Sequence, residues 1–161
     1  MAKAAKAAAG KSPKAQLDGF LGKFRPEVAR MARAALARMR KLLPGAVELV
    51  YDNYNALAIA FGPTERTSEA IFSITVYPRW VSLFFTRGAA LPDPHQLLKG
   101  SGTTIRHIVL EDAATLDESP VRALIKHALK GATPIDGALP NRIVIKSVSP
   151  KQCPRRRDGG N

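Results

Sequence analysis

The segment Ala70–Arg87, AIFSITVYPRWVSLFFTR, decides the fold. Two runs rich in β-branched and aromatic residues, 70–77 and 80–87, are separated only by Pro78-Arg79, and this predicts a β-hairpin. Period-two alternation puts Ala70, Phe72, Ile74 and Val76 on one face, with Val81, Leu83 and Phe85 as their core partners. The other face collects Ser73, Thr75, Tyr77, Trp80, Ser82 and Thr86. One oily side and one mixed side is the pattern of an antiparallel sheet covered on a single face.

Working outward, Val47–Tyr51 and Ala56–Phe61 are short apolar runs joined by Asp52-Asn53-Tyr54-Asn55, a turn composition. Before them, Pro26 suits the first turn of a long helix reaching about Leu43, which Pro44-Gly45 ends. At 100° per residue, Val28, Met31, Ala32, Ala35, Leu36, Met39, Leu42 and Leu43 share one arc. Arg30, Arg33, Arg38, Arg40 and Lys41 share the opposite arc. Residues 16–24 predict a short helix or turn.

After the hairpin, Asp93-Pro94-His95-Gln96 has the form of a helix start, with Gly100 as its stop. Ile105–Leu110 predicts a strand, and 119–130 a helix with Val121, Leu124, Ile125, Ala128 and Leu129 on its apolar side. A Pro/Gly loop over 132–141 leads to a last strand, 142–148. Strands in a run, rather than alternating with helices, argue for α+β. The expected architecture is an antiparallel sheet of about five to six strands, packed on one face by two main helices.

The chain has 161 residues and a net charge of +12. Residues 1–15, with four lysines and no acid, hold +4 of it, and 151–161 hold +3. The expected organisation is therefore a disordered basic tail over 1–15, a domain over 16–148 and a basic C-terminal tail over 149–161. Residues 1–15 are alanine- and lysine-rich with no large apolar residue beyond Met1, so nothing anchors them to a core. Charge on tails attracts nucleic acid without sequence preference. The single cysteine, Cys153, excludes an internal disulfide framework and suits a reducing compartment. No stretch approaches the ~20 apolar residues of a membrane span, so no membrane partner is expected and the reading is cytoplasmic.

No catalytic constellation emerges, and no cofactor or metal is expected. His95, His107 and His127 lack ligand spacing. Gly100-Ser101-Gly102 follows a predicted helix rather than preceding one, the reverse of a phosphate cradle. Cys153 sits beside Arg155, Arg156 and Arg157 on what reads as a flexible tail. The candidate ligand-binding residues are Tyr77, Arg79, Trp80, Arg87 and His107, because aromatics interleaved with arginine suit stacking and anion capture. Arg30, Arg33, Arg40 and Lys41 are the candidate nucleic-acid contacts, with a solvated helix face as the alternative.

The stretch LFFTRGAALPDPHQLLKGSGTTIRHIVL from Leu83, followed by VRALIKHALKGA, resembles the YdhG-like domain family. The long helix, Leu43-Pro44-Gly45-Ala46 and ELVYDNYNALAIAF are also similar to it. The resemblance covers roughly residues 20–131 and is most specific at Gly88 and Leu91-Pro92-Asp93-Pro94. The closing strand and basic end, RIVIKSVSPKQCPRRR, are similar to extensions of some members. It implies an α+β sandwich with an antiparallel sheet. Through a frataxin-like branch it also implies an intracellular iron chaperone, a role that uses exposed carboxylates. The first long helix carries Glu27 alone against five basic residues, so no metal ligands carry over. The leading expectation is a non-enzymatic domain binding a small ligand or a protein partner on its mixed sheet face. A nucleic-acid-associated accessory protein and an iron chaperone are the alternatives.

Overall fold

The structure is a computed structural model describing residues 10–156. Its centre is the hairpin of β3 (Phe72–Val76) and β4 (Val81–Phe85), closed by the Tyr77 amide donating to the Trp80 carbonyl at 2.8 Å. Phe72, Ile74, Val76, Val81, Leu83 and Phe85 are all fully buried, as alternation requires. Phe72 and Phe85, paired across the strands, meet edge to face with centroids 5.6 Å apart. Strands β1 (Val47–Asp52) and β2 (Leu57–Gly62) form a second hairpin on the β3 side, and β5 (Arg106–Leu110) pairs with β4.

The last strand, β6 (Arg142–Val148), pairs with β1 in parallel, giving the order β5-β4-β3-β2-β1-β6. The sheet is therefore mixed rather than wholly antiparallel. After β5 the chain runs from one sheet edge to the other through a helix and a loop, and enters β6 in the direction of β1. A shift in register between Val50 and Tyr51 marks a local irregularity in this pair.

Among the described residues three α-helices serve the oily face. Helix α2 (Pro26–Leu42) buries Val28, Ala32, Ala35, Leu36 and Met39, the arc expected from its periodicity. Helix α3 (Ser119–Lys130) buries Val121, Leu124 and Ile125. Helix α1 (Pro13–Leu21) packs on β6 and buries Leu17 and Leu21. The Ser12 hydroxyl accepts from the Ala15 amide and Pro13 takes the first turn, so the helix begins inside the expected tail. Two buried leucines give it the anchor that 1–15 lack by themselves. The tail expected over residues 1–9 lies outside the described residues.

Two further expectations are corrected. Residues 93–99 form no helix: the Asp93 carboxylate accepts from the Leu97 and Leu98 amides, both at 2.9 Å, and Gln96 has a φ of 52°. Lys99 then makes a β-bridge with His107. Residues 149–156 are not a tail but a strap docked on the domain. Ser149 and Cys153 donate backbone amides to the Asp52 and Tyr54 carbonyls. Arg156 reaches the Gly22 and Lys23 carbonyls behind α1. Cys153 is buried, so the flexible setting expected for it is overturned. The remainder of the expected tail, 157–161, lies outside the described residues.

The second sheet face is divided. Over β1 and β2, Val47, Leu49 and Ala60 are buried in a small cluster with Ala70 and Val144 packed against it. Residues 63–70 run over this half. The Tyr51 hydroxyl bonds the Thr67 hydroxyl, and Arg142 pairs with Glu65. Over β4 and β5 the face stays partly open, with Val109 40% exposed.

Candidate functional site

Tyr77 and Trp80 stack on each other at the hairpin turn, with centroids 4.6 Å apart and planes 19° from parallel. Burial against this neighbour and the sheet end pushes the Tyr77 phenol above its ordinary pKa. Arg79 is exposed in the turn. His107 stacks instead on Phe84, its cross-strand partner, at 5.0 Å. Arg87 follows the far end of β4, ~23 Å along the chain direction from Trp80 at strand rise. The five residues chosen from sequence therefore divide among three places: the turn, the open sheet face and the opposite sheet end.

The arginine arc of α2 is largely engaged within the domain. Arg33 pairs with Asp18 of α1, and Arg38 with Asp117 at 3.0 Å. Arg40 makes a two-pronged contact with buried Glu48, both bonds at 2.8 Å. That hydrogen bonding raises the Arg40 pKa further above its ordinary value. Arg30 and Lys41 are exposed on the same arc. Three of these cations thus tie the helix to α1, to β1 and to the turn before α3.

Arg87 borders a cleft of about 840 Å³. The end of β4 gives Thr86 and Arg87, the chain before β3 gives Ser68 and Glu69, and the end of α3 gives His127 and Lys130. Each is placed for a local reason. Thr86 donates its hydroxyl to the Ala70 carbonyl at 2.8 Å, fixing the end of the hairpin to the covering loop. Glu69 accepts from the Thr64 hydroxyl at 2.6 Å within that loop. His127 and Lys130 stand in the last turn of α3, where cations favour the helix dipole. Arg87 and Lys130 make no ion pair among the described residues. The cleft therefore presents two cations outside any ion pair and an imidazole, against the one carboxylate of Glu69.

A second cavity of about 250 Å³ adjoins the first. Its walls are mostly apolar: Pro92, Pro94, Leu97, Pro120, Ala123 and Leu124. Pro92 and His127 border both cavities. Sequence reasoning found Arg87 but missed His127 and Lys130, which fall more than 35 positions away on the polar side of an amphipathic helix. Among the described residues no group of three or more His, Cys, Asp or Glu side chains comes together to hold a metal ion. No helix among them is long and apolar enough to cross a membrane. Comparison with family models, curated proteins and solved structures finds no match for this chain.

Proposed function

We propose that the chain is a non-enzymatic, YdhG-like domain that binds a small anionic ligand in the cleft bordered by Arg87, His127 and Lys130. The observation that carries this reading is the excess of positive charge, Arg87 and Lys130 against Glu69, at the rim of an 840 Å³ cleft. That volume lies within the ~300–1,000 Å³ range of small-molecule sites. Arg87 and Lys130 are themselves exposed, and their shared sign at the mouth of one concave surface raises the local concentration of anions. Binding without chemistry fits the polar groups of the cleft: the Thr86 hydroxyl is committed to the Ala70 and Ile71 carbonyls rather than to a base. A single cysteine, with no internal disulfide open to the chain, supports action in the reducing cytoplasm.

The test is chemical-shift mapping on the ¹⁵N-labelled full chain, titrated with inorganic phosphate and with acetate. Amides of Thr86, Arg87, Lys130 and Gly131 are expected to shift with saturation, and Arg87→Gln with Lys130→Gln should abolish the response. Saturable shifts centred on Tyr77 and Trp80, or no saturable shift at all, would refute the assignment.

A further inference from the structure

The two cavities lie along one stripe of α3. Pro120, Ala123, Leu124, His127 and Lys130 recur at helical spacing and border one cavity or the other. From Pro120 to Lys130 the helix rises ~15 Å. The facing wall is the irregular segment 90–97, held in shape by the Asp93 carboxylate bonding the Leu97 and Leu98 amides. Ala90, Leu91 and Pro92 border the larger cavity, and Pro92, Pro94 and Leu97 the smaller. Pro92 and His127, one from each wall, stand where the cavities meet.

The ends of this groove differ in chemistry. Arg87 and Lys130 lie at one end, with Ser68 and Thr133 near them. At the other, three prolines, Leu97, Ala123 and Leu124 offer carbon, no lysine or arginine borders the cavity, and the Asp93 carboxylate on its wall is taken up by the Leu97 and Leu98 amides. A small hydrophilic anion would leave this apolar end filled with poorly bonded water. A ligand with an anionic head and an unbranched hydrocarbon tail would satisfy both ends, placing charge against Arg87 and Lys130 and displacing that water.

We infer that the natural ligand is an amphipathic anion, an aliphatic carboxylate or a compound of similar build, lying along α3 with its tail in the proline-lined cavity. This rests on the anion reading above and adds the class of ligand. The segment Pro92–Leu97 then acts as the specificity wall, because Pro92, Pro94 and Leu97 face the tail opposite the helix.

The experiment compares acetate with octanoate by calorimetric titration into the full chain at fixed ionic strength. Octanoate should bind at least tenfold more tightly than acetate, the gain from burying about two methylene groups. Ala123 is exposed on the helix surface, so Ala123→Glu places a charge in the tail cavity without entering the core. It should bring the ratio of the two affinities close to one. Circular dichroism of the variant separates this effect from misfolding, and Ala123→Ser, which adds no charge, should keep most of the ratio. Equal affinities for acetate and octanoate overturn the tail site while leaving the anion site standing. A tenfold preference that survives a folded Ala123→Glu overturns the tail's location. Failure of both ligands and of inorganic phosphate to bind removes the anion reading itself.

Discussion

Replacing Arg155 by alanine should be among the most damaging single changes in the chain. Its guanidinium is 4% exposed and donates to Asp52 Oδ1 at 2.9 Å, to the Asn53 carbonyl at 2.6 Å and to the Tyr54 carbonyl at 3.1 Å. It also lies 5.4 Å from the centre of the Phe24 ring. Asp52 is 1% exposed at its side chain, and its second carboxylate oxygen has no hydrogen-bond partner among the described residues. Arg155→Ala therefore strands a buried carboxylate with its counter-charge gone, a situation that costs about 3–5 kcal/mol. For a chain of this length each kcal/mol moves Tm by about 2–4 °C, so the midpoint should fall by about 6–20 °C. Because the strap carries Cys153, whose thiol lies 3.7 Å from Arg155 Nη1, the same change should open that thiol to a disulfide reagent. Urea unfolding followed by circular dichroism measures the first effect, and thiol modification under native conditions the second. The double change Asp52→Asn with Arg155→Met should recover much of the loss, since no unpaired charge is then buried. A loss below about 1 kcal/mol with Cys153 still protected would refute the claim that 149–156 is part of the fold.

Two further outcomes follow from local geometry. Tyr77 should titrate above the ordinary tyrosine value of about 10, because burial disfavours its phenolate; its folded pKa exceeds the unfolded one, so its stabilising contribution is complete below pH ~10 and lost as pH rises through the folded value. The difference in phenolate absorbance between wild type and Tyr77→Phe isolates this step, and a transition at or below the ordinary value would contradict it. Gly45 has a φ of 86°, and a Cβ there would stand 1.9 Å from the Asp136 carbonyl oxygen, so Gly45→Ala should destabilise by at least about 2 kcal/mol in denaturant unfolding. A near-neutral result would mean that the 132–141 loop yields freely.

How much of this was legible in the sequence depends on the range of the interaction concerned. The 70–87 hairpin and the buried arc of α2 were readable because each follows from periodicity within one element. The 119–130 helix and the 142–148 strand were readable for the same reason, with boundaries set by Gly131 and by the Pro/Gly loop. The direction of β6 was not, since strand polarity depends on how the chain crosses the domain. Nor was the docking of the strap, whose key contact joins residues 103 positions apart. A basic run such as Pro154-Arg155-Arg156 carries no local mark showing that one arginine is buried and its neighbour rests on a helix terminus. The helix read at 93–99 failed because Asp93 bonds amides four and five residues on. An N-cap bonds those two and three residues on, and the side-chain types are the same in both cases.

The candidate site shows the same division of range, and the covering loop explains where function can sit. A sheet with one oily face leaves its other face as the natural binding surface, provided nothing covers it. Here residues 63–70 close the β1–β2 half of that face, fastened by Thr67 on Tyr51 and by Glu65 on Arg142. Those residues then continue into Ser68 and Glu69 at the cleft rim, where the Thr86 hydroxyl joins the Ala70 carbonyl to the end of β4. One segment thus removes half of the sheet face from solvent and builds a wall of the cleft beside Arg87. The stacked Tyr77–Trp80 pair, at the opposite end of the hairpin, contributes to neither cavity. Of the five ligand-binding candidates read from the sequence, Arg87 is the one that the covering loop and α3 bring into a shared recess. The physical ground for placing function at that end is therefore convergence of three chain segments around an excess of positive charge, Arg87 and Lys130 against Glu69.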